Sequence, residues 1–81
     1  GQLYFSSSRA GRLEIYVSQR LGESRWSEPQ KVIGIPSNHP HLWGVGEPTL
    51  TADGTFLYFV VVFGKNEVLD CDIAYARAAA E

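Results

Sequence analysis

The chain has no methionine, a single cysteine and no run of like charge. One cysteine, Cys71, cannot close an internal disulfide, so this is not a disulfide-stapled miniprotein. Seven basic residues stand against nine acidic ones, a formal net charge of −2 scattered along the sequence. Nucleic-acid or membrane-surface binding asks for a basic patch and finds no support there. No stretch approaches the roughly 18 apolar residues of a helical membrane span. The missing methionine and the start at Gly1 are read as those of a processed, trimmed or excised piece. Helical periodicity is missing too, until the terminal Ala76–Glu81.

What is present is strand-like. At 81 residues, with 44% hydrophobic residues and ten aromatics, the chain is one domain or part of one, with a thin core. Leu3–Ser8, a turn at Arg9-Ala10-Gly11-Arg12, and Glu14–Gln19 read as a hairpin. After the turn Leu21–Arg25, Pro29 leads into Gln30–Ile33, as suits an edge strand or a strand start. Gly34–Gly46, with two prolines and three glycines, predicts a long loop without secondary structure of its own. Glu47–Thr51 follows as a short strand, Ala52-Asp53-Gly54 as a tight turn, Phe56–Phe63 as a strand, Gly64–Leu69 as a turn and Asp72–Arg77 as the last strand.

Phe56–Phe63 (FLYFVVVF) breaks the alternation expected of a strand with one wet face. It calls for cover on both sides.

An internal repeat suggests an origin for that cover. Leu3-Tyr4-Phe5 recurs as Leu57-Tyr58-Phe59, 54 positions on (57 − 3), and Ile15-Tyr16-Val17-Ser18 is echoed by Ile73-Ala74-Tyr75-Ala76, 58 positions on (73 − 15). Such a period suits one four-stranded propeller blade with a long loop. With blade strands lettered A to D, residues 1–33 read B-C-D, 34–46 a connecting loop, and 47–81 A-B-C. The fold class is therefore all-β, an antiparallel four-stranded-blade propeller fragment, with a small antiparallel sandwich as the alternative. The repeat favours the propeller.

The run from Glu47 to Phe59 (EPTLTADGTFLYF) resembles the TolB-like, WD-like propeller repeat, whose signature passes from a proline through Ser-Pro-Asp-Gly into an apolar strand. Leu3–Arg9 resembles the end of strand B of that repeat, Glu14-Ile15-Tyr16-Val17 its Asp-Ile-Tyr-Val, and Trp26-Ser27-Glu28-Pro29 its approach to strand D. Ala52 stands where the family has proline, Phe63-Gly64-Lys65 where it has Ser-Asp-Arg, and Ala74 interrupts the second Ile-Tyr-Val. The resemblance implies a binding scaffold in a periplasmic or secreted protein, a cytoplasmic one being the alternative. Six strands do not fill blades of four. The expectation is that a longer parent or another chain completes the sheets through an exposed edge or face, as protein partner or as homo-oligomer.

In antiparallel blades alternate turns emerge at the same end, which gathers Arg9, Arg12, His39, His41, Trp43 and Lys65, with Asp70 and Asp72 at the rim. These six are the candidate ligand or partner residues. His39-Pro40-His41 offers two imidazoles, and two ligands are not a metal site. No metal or cofactor is expected. Ser6-Ser7-Ser8 have no assignable base, so no catalytic residue is named and the chain is read as no enzyme. Trp43 either stacks on a sugar or anchors a protein partner, or else folds back to plug the core. Trp26 is read as structural, and Cys71 as buried or half-buried.

Overall fold

A computed structural model describes residues 1–36, 38, 40–65 and 68–77, the side chain of Lys65 excepted. The described residues contain six strands and no helix: β1 Gln2–Ser7, β2 Glu14–Gln19, β3 Gln30–Ile33, β4 Leu42–Leu50, β5 Phe56–Lys65 and β6 Val68–Arg77. They form two antiparallel three-stranded sheets, ordered β1-β2-β3 and β4-β5-β6. The all-β class and the grouping of the strands three and three thus follow the sequence reading. The last expected strand ends where β6 does, at Arg77, and residues 78–81 of the terminal Ala76–Glu81 stretch lie outside the described set.

Strand pairing follows the repeat. Residues opposite one another in β1 and β2 are Gln2 and Gln19, Leu3 and Ser18, Tyr4 and Val17, Phe5 and Tyr16, Ser6 and Ile15, Ser7 and Glu14. Adding 54 to the first of each pair and 58 to the second gives the pairs of β5 and β6, from Phe56 with Arg77 through to Val61 with Asp72. Opposed residues in a ladder share a face. Equivalent residues of the two hairpins therefore share equivalent faces.

The sheets pack face to face around Ile15, Val45, Leu57 and Phe59, all buried, with Tyr4, Ile33, Leu50, Val61, Ala74 and Ala76 packed around them. Leu57 and Phe59 come from the inward side of the apolar run. Its other side carries Phe56, Tyr58, Val60 and Val62, and among the described residues no second layer covers it: Tyr58 is 42% exposed, and Ile73 and Tyr75 beside it 72% and 65%. Among the described residues the cover that the run calls for is present on one face only.

β4 departs most from expectation. It begins at Leu42, inside the segment read as loop, and runs to Leu50. Gly44 and Gly46 read as loop residues from sequence, yet they are strand residues at a close approach. A Cβ on Gly44 would lie 2.9 Å from Leu13 Cβ, and one on Gly46 3.3 Å from Leu13 Cδ2. Here glycine marks a neighbour, not a break. The contact joins the sheets, because Val45 N donates to Leu13 O at 2.8 Å. The second half of β4 is irregular, with a register shift between Gly46 and Thr49 and Glu47 at φ 50°. Pro48 is tolerated there because β4 is an edge strand.

The connection from β5 to β6 is shorter than the expected turn Gly64–Leu69, since pairing continues to Lys65 with Val68. At the opposite end Asp53 organises the β4–β5 turn. Its Oδ1 accepts from Thr51 Oγ1 (2.8 Å) and Thr55 N (3.0 Å), and Gly54 takes φ 75°. These bonds hold the Asp53 carboxyl below its ordinary range, the Thr55 amide being the main cause.

Candidate functional site

The loop end assembles only part of the candidate set. Arg12 Nη1 donates to Leu42 O at 3.1 Å, tying the β1–β2 turn to the start of β4. His41 Nδ1 donates to Gly64 O at 3.2 Å, and Gly64 N donates to His41 O at 2.9 Å. Trp43 lies against the same glycine: a Cβ on Gly64 would be 2.7 Å from Trp43 Cε2. Arg12, His41, Trp43 and Gly64 therefore meet at one end of the molecule. Trp43 stays 52% exposed and outside the buried core, so it is not a plug.

Arg9 goes elsewhere. Its guanidinium lies over Tyr16 and Phe5, 4.9 and 5.7 Å from the ring centroids, and its Nε donates to Ser7 Oγ at 3.1 Å. The stacked Phe5 and Tyr16 are on the face of the first sheet turned away from the second. Arg9 thus caps an outer face instead of joining the loop cluster. His39 lies outside the described residues, as does the side chain of Lys65, whose backbone closes the β5–β6 ladder. Among the described residues no group of three or more His, Cys, Asp or Glu could hold a metal ion.

Two aromatic and sulfur readings change. Cys71 is exposed, opposite Val62 on the outer side of the second sheet, where no further layer follows among the described residues. Trp26 bridges Arg20 through the backbone and leaves its ring 46% exposed.

A further uncovered apolar surface is one the sequence named only through FLYFVVVF. On the outer face of β5 and β6, Tyr75 meets Phe56 edge-on at 5.8 Å between centroids and Tyr58 at 5.6 Å. Ile73 continues this patch opposite Val60. The aromatic rings hold each other in place, which leaves a preformed surface with little side-chain entropy left to lose on contact. Among the described residues neither a nucleophile with a base nor a convergent acid–base pair stands on it.

A cleft of about 760 Å³ opens between the sheets at the Asp53 end, with Tyr4, Val17, Leu50 and Leu57 at its floor and Gln2, Gln19, Gln30 and Arg77 around it. A smaller hollow, about 290 Å³, holds Arg12, Glu14 and Lys31. Glu14 is spoken for there: Lys31 Nζ lies 3.1 Å from Oε1, and Ile35 N donates to Oε2 at 2.8 Å. The Ile35 amide, with Lys31 adding to it, holds the Glu14 carboxyl below its ordinary range.

Compared with protein-family models, with curated proteins and with solved structures, the chain gives no significant match.

Proposed function

We propose that this chain is a non-enzymatic module of TolB-like propeller repeats that acts as a protein-interaction scaffold, β1–β3 corresponding to blade strands B-C-D and β4–β6 to A-B-C. The observation that carries the reading is the exposed outer face of β5 and β6, where Tyr58, Ile73 and Tyr75 form an apolar patch. Exposed apolar surface of this kind marks contact sites, and aromatic residues dominate such contacts energetically. The matching registers of the two hairpins support the repeat, and a periplasmic or secreted setting goes with the family resemblance.

The test places a photoreactive phenylalanine at position 75 of the full chain in its source cells, with the same residue at exposed Arg25 as control. A protein crosslinked from position 75 alone, which binds the purified chain and loses binding on Ile73→Asp, is the expected result. Equal crosslinking from both positions, or none, overturns it. A second reading, a carbohydrate-binding propeller using the loop end, draws on the exposed indole of Trp43. A glycan-array signal that disappears on Trp43→Ala would favour it over the scaffold.

A further inference from the structure

The same numerical relation that links the hairpins places Asp72 where Glu14 stands, since Ser7 faces Glu14 and Val61 faces Asp72. In the first sheet a strand lies beyond that carboxylate. β3 pairs with β2, Lys31 opposite Tyr16, and Lys31 Nζ reaches Glu14 at 3.1 Å. In the second sheet β6 is the edge among the described residues. Asp72 has turned back on its own chain, its Oδ1 accepting from Ile73 N at 2.8 Å, and Asp70 Oδ1 likewise accepts from Cys71 N at 2.9 Å.

Those two amides are alternate groups of the outward-facing row of the edge, and the side chains next to them occupy the place of a neighbouring strand's carbonyls. The arrangement discriminates between partners. A second copy pairing edge to edge through β6 would bring Asp70 and Asp72 of both chains together, a like-charge clash that blunts self-association. A strand carrying a cation meets the opposite situation. It exchanges each carboxylate–amide bond for a ladder bond, so that no amide is left unpaired, and frees Asp72 for an ion pair like that of Glu14 with Lys31.

We propose that the edge of β6, unpaired among the described residues, accepts an extended strand from another polypeptide, with a lysine or arginine beside Asp72 and apolar residues following it, in the position that β3 holds beside β2. The proposal rests on the reading of the chain as a protein-interaction module and names a partner class and a second contact surface for it. β3 itself, Gln30-Lys31-Val32-Ile33, is the pattern for the incoming strand.

The probe is a synthetic peptide with the sequence of residues 27–35 (SEPQKVIGI), titrated into the isotope-labelled full chain and followed by NMR. Saturable shifts and slowed hydrogen exchange at the amides of Cys71 and Ile73 are expected. A peptide with Lys31→Glu should bind at least about tenfold more weakly, the scale of one charge-assisted contact, and an Asp72→Lys chain should reverse that preference. Asp72→Asn, which keeps the side-chain acceptor, should fold as the parent and bind both peptides alike.

No saturation below about 1 mM peptide, equal binding of the two peptides to the parent chain, or shifts at Tyr16 and Val17 showing that the peptide displaces β3, each overturns the proposal. Shifts confined to Tyr58 and Tyr75 also overturn it while leaving the scaffold reading in place. Loss of the position-75 crosslink with intact edge binding has the reverse meaning.

Discussion

Ile15 and Ile73 occupy the same place in the two halves of the repeat, each opposite β1 or its counterpart β5, and differ completely in cover: Ile15 is 0% exposed, Ile73 72%. The difference has a geometric cause. Ile15 points from the first sheet into the second, and Ile73 points the same way from the second sheet, where no further layer follows among the described residues.

Truncating the two should therefore give unequal results. Ile15→Ala leaves a cavity between the sheets and should cost about 2–5 kcal/mol, whereas Ile73→Ala should stay within about 0.5 kcal/mol in the isolated chain. Urea denaturation of both variants checks this. Equal losses would mean that the outer face of β6 is covered in solution.

Trp43 and Gly64 should behave as one unit. Gly64→Ala drives a methyl group into the indole, at a cost of about 1–3 kcal/mol, and shifts the Trp43 fluorescence. In a Trp43→Ala background the same substitution should cost clearly less, a coupling that a double-mutant cycle measures.

Gly44→Ala tests whether glycine stands in β4 for close approach. The new Cβ meets Leu13 Cβ and backbone, next to the bond from Val45 N to Leu13 O, so a loss of about 1–3 kcal/mol is expected. Leu13→Ala keeps its own Cβ and should not rescue the variant. Rescue would place the conflict in the leucine's outer atoms instead.

Both perturbed carboxyls give stability the same pH dependence. Glu14 and Asp53 have folded pKa values below their ordinary 4.5 and 3.8. Their contribution is fully present above those values and is lost as pH falls through the lower folded ones, because the unfolded chain then binds more protons. The urea midpoint should be flat from neutral pH to about pH 5 and fall below it. Asp53→Asn should be less stable than the parent at pH 7 and approach it at low pH. A constant gap between the two across the range would remove the Asp53 carboxylate from the account of the turn.

Much of this structure was legible in residue order. β2 and β3 have the limits that their β-branched and aromatic residues suggested, and Asp53-Gly54 makes the turn that its chemistry implied, with Gly54 at positive φ. Only the first half of β4 was hidden, because Gly44 and Gly46 sit in a stretch whose glycines and prolines read as loop, while its second half falls in the expected strand Glu47–Thr51. Gly44 and Gly46 are strand residues because they pair with Val62 and Val60 of β5, and the close approach of Leu13 on the other side explains why they are glycine. β6 was underestimated at its start: the expected strand begins at Asp72, and Val68-Leu69 reads as turn until ten paired residues of β5 lie beside it. Of the candidate residues, Arg12, His41 and Trp43 lie at one end of the fold, while Arg9 is diverted by two rings that only the β1–β2 register brings together.

By itself the amino-acid order determined the strand class, the Asp-Gly turn and the repeat, since each depends on local backbone preference or on identity between segments. Which face of each strand is covered was a tertiary decision. FLYFVVVF has two apolar faces by composition, and nothing local distinguishes them. The first sheet packs against Leu57 and Phe59, leaving Tyr58 and its neighbours uncovered among the described residues. The edge of β6 was decided in the same way: Asp72 and Glu14 are equivalent by position, and only the presence of β3 beside β2 gives one of them a cation.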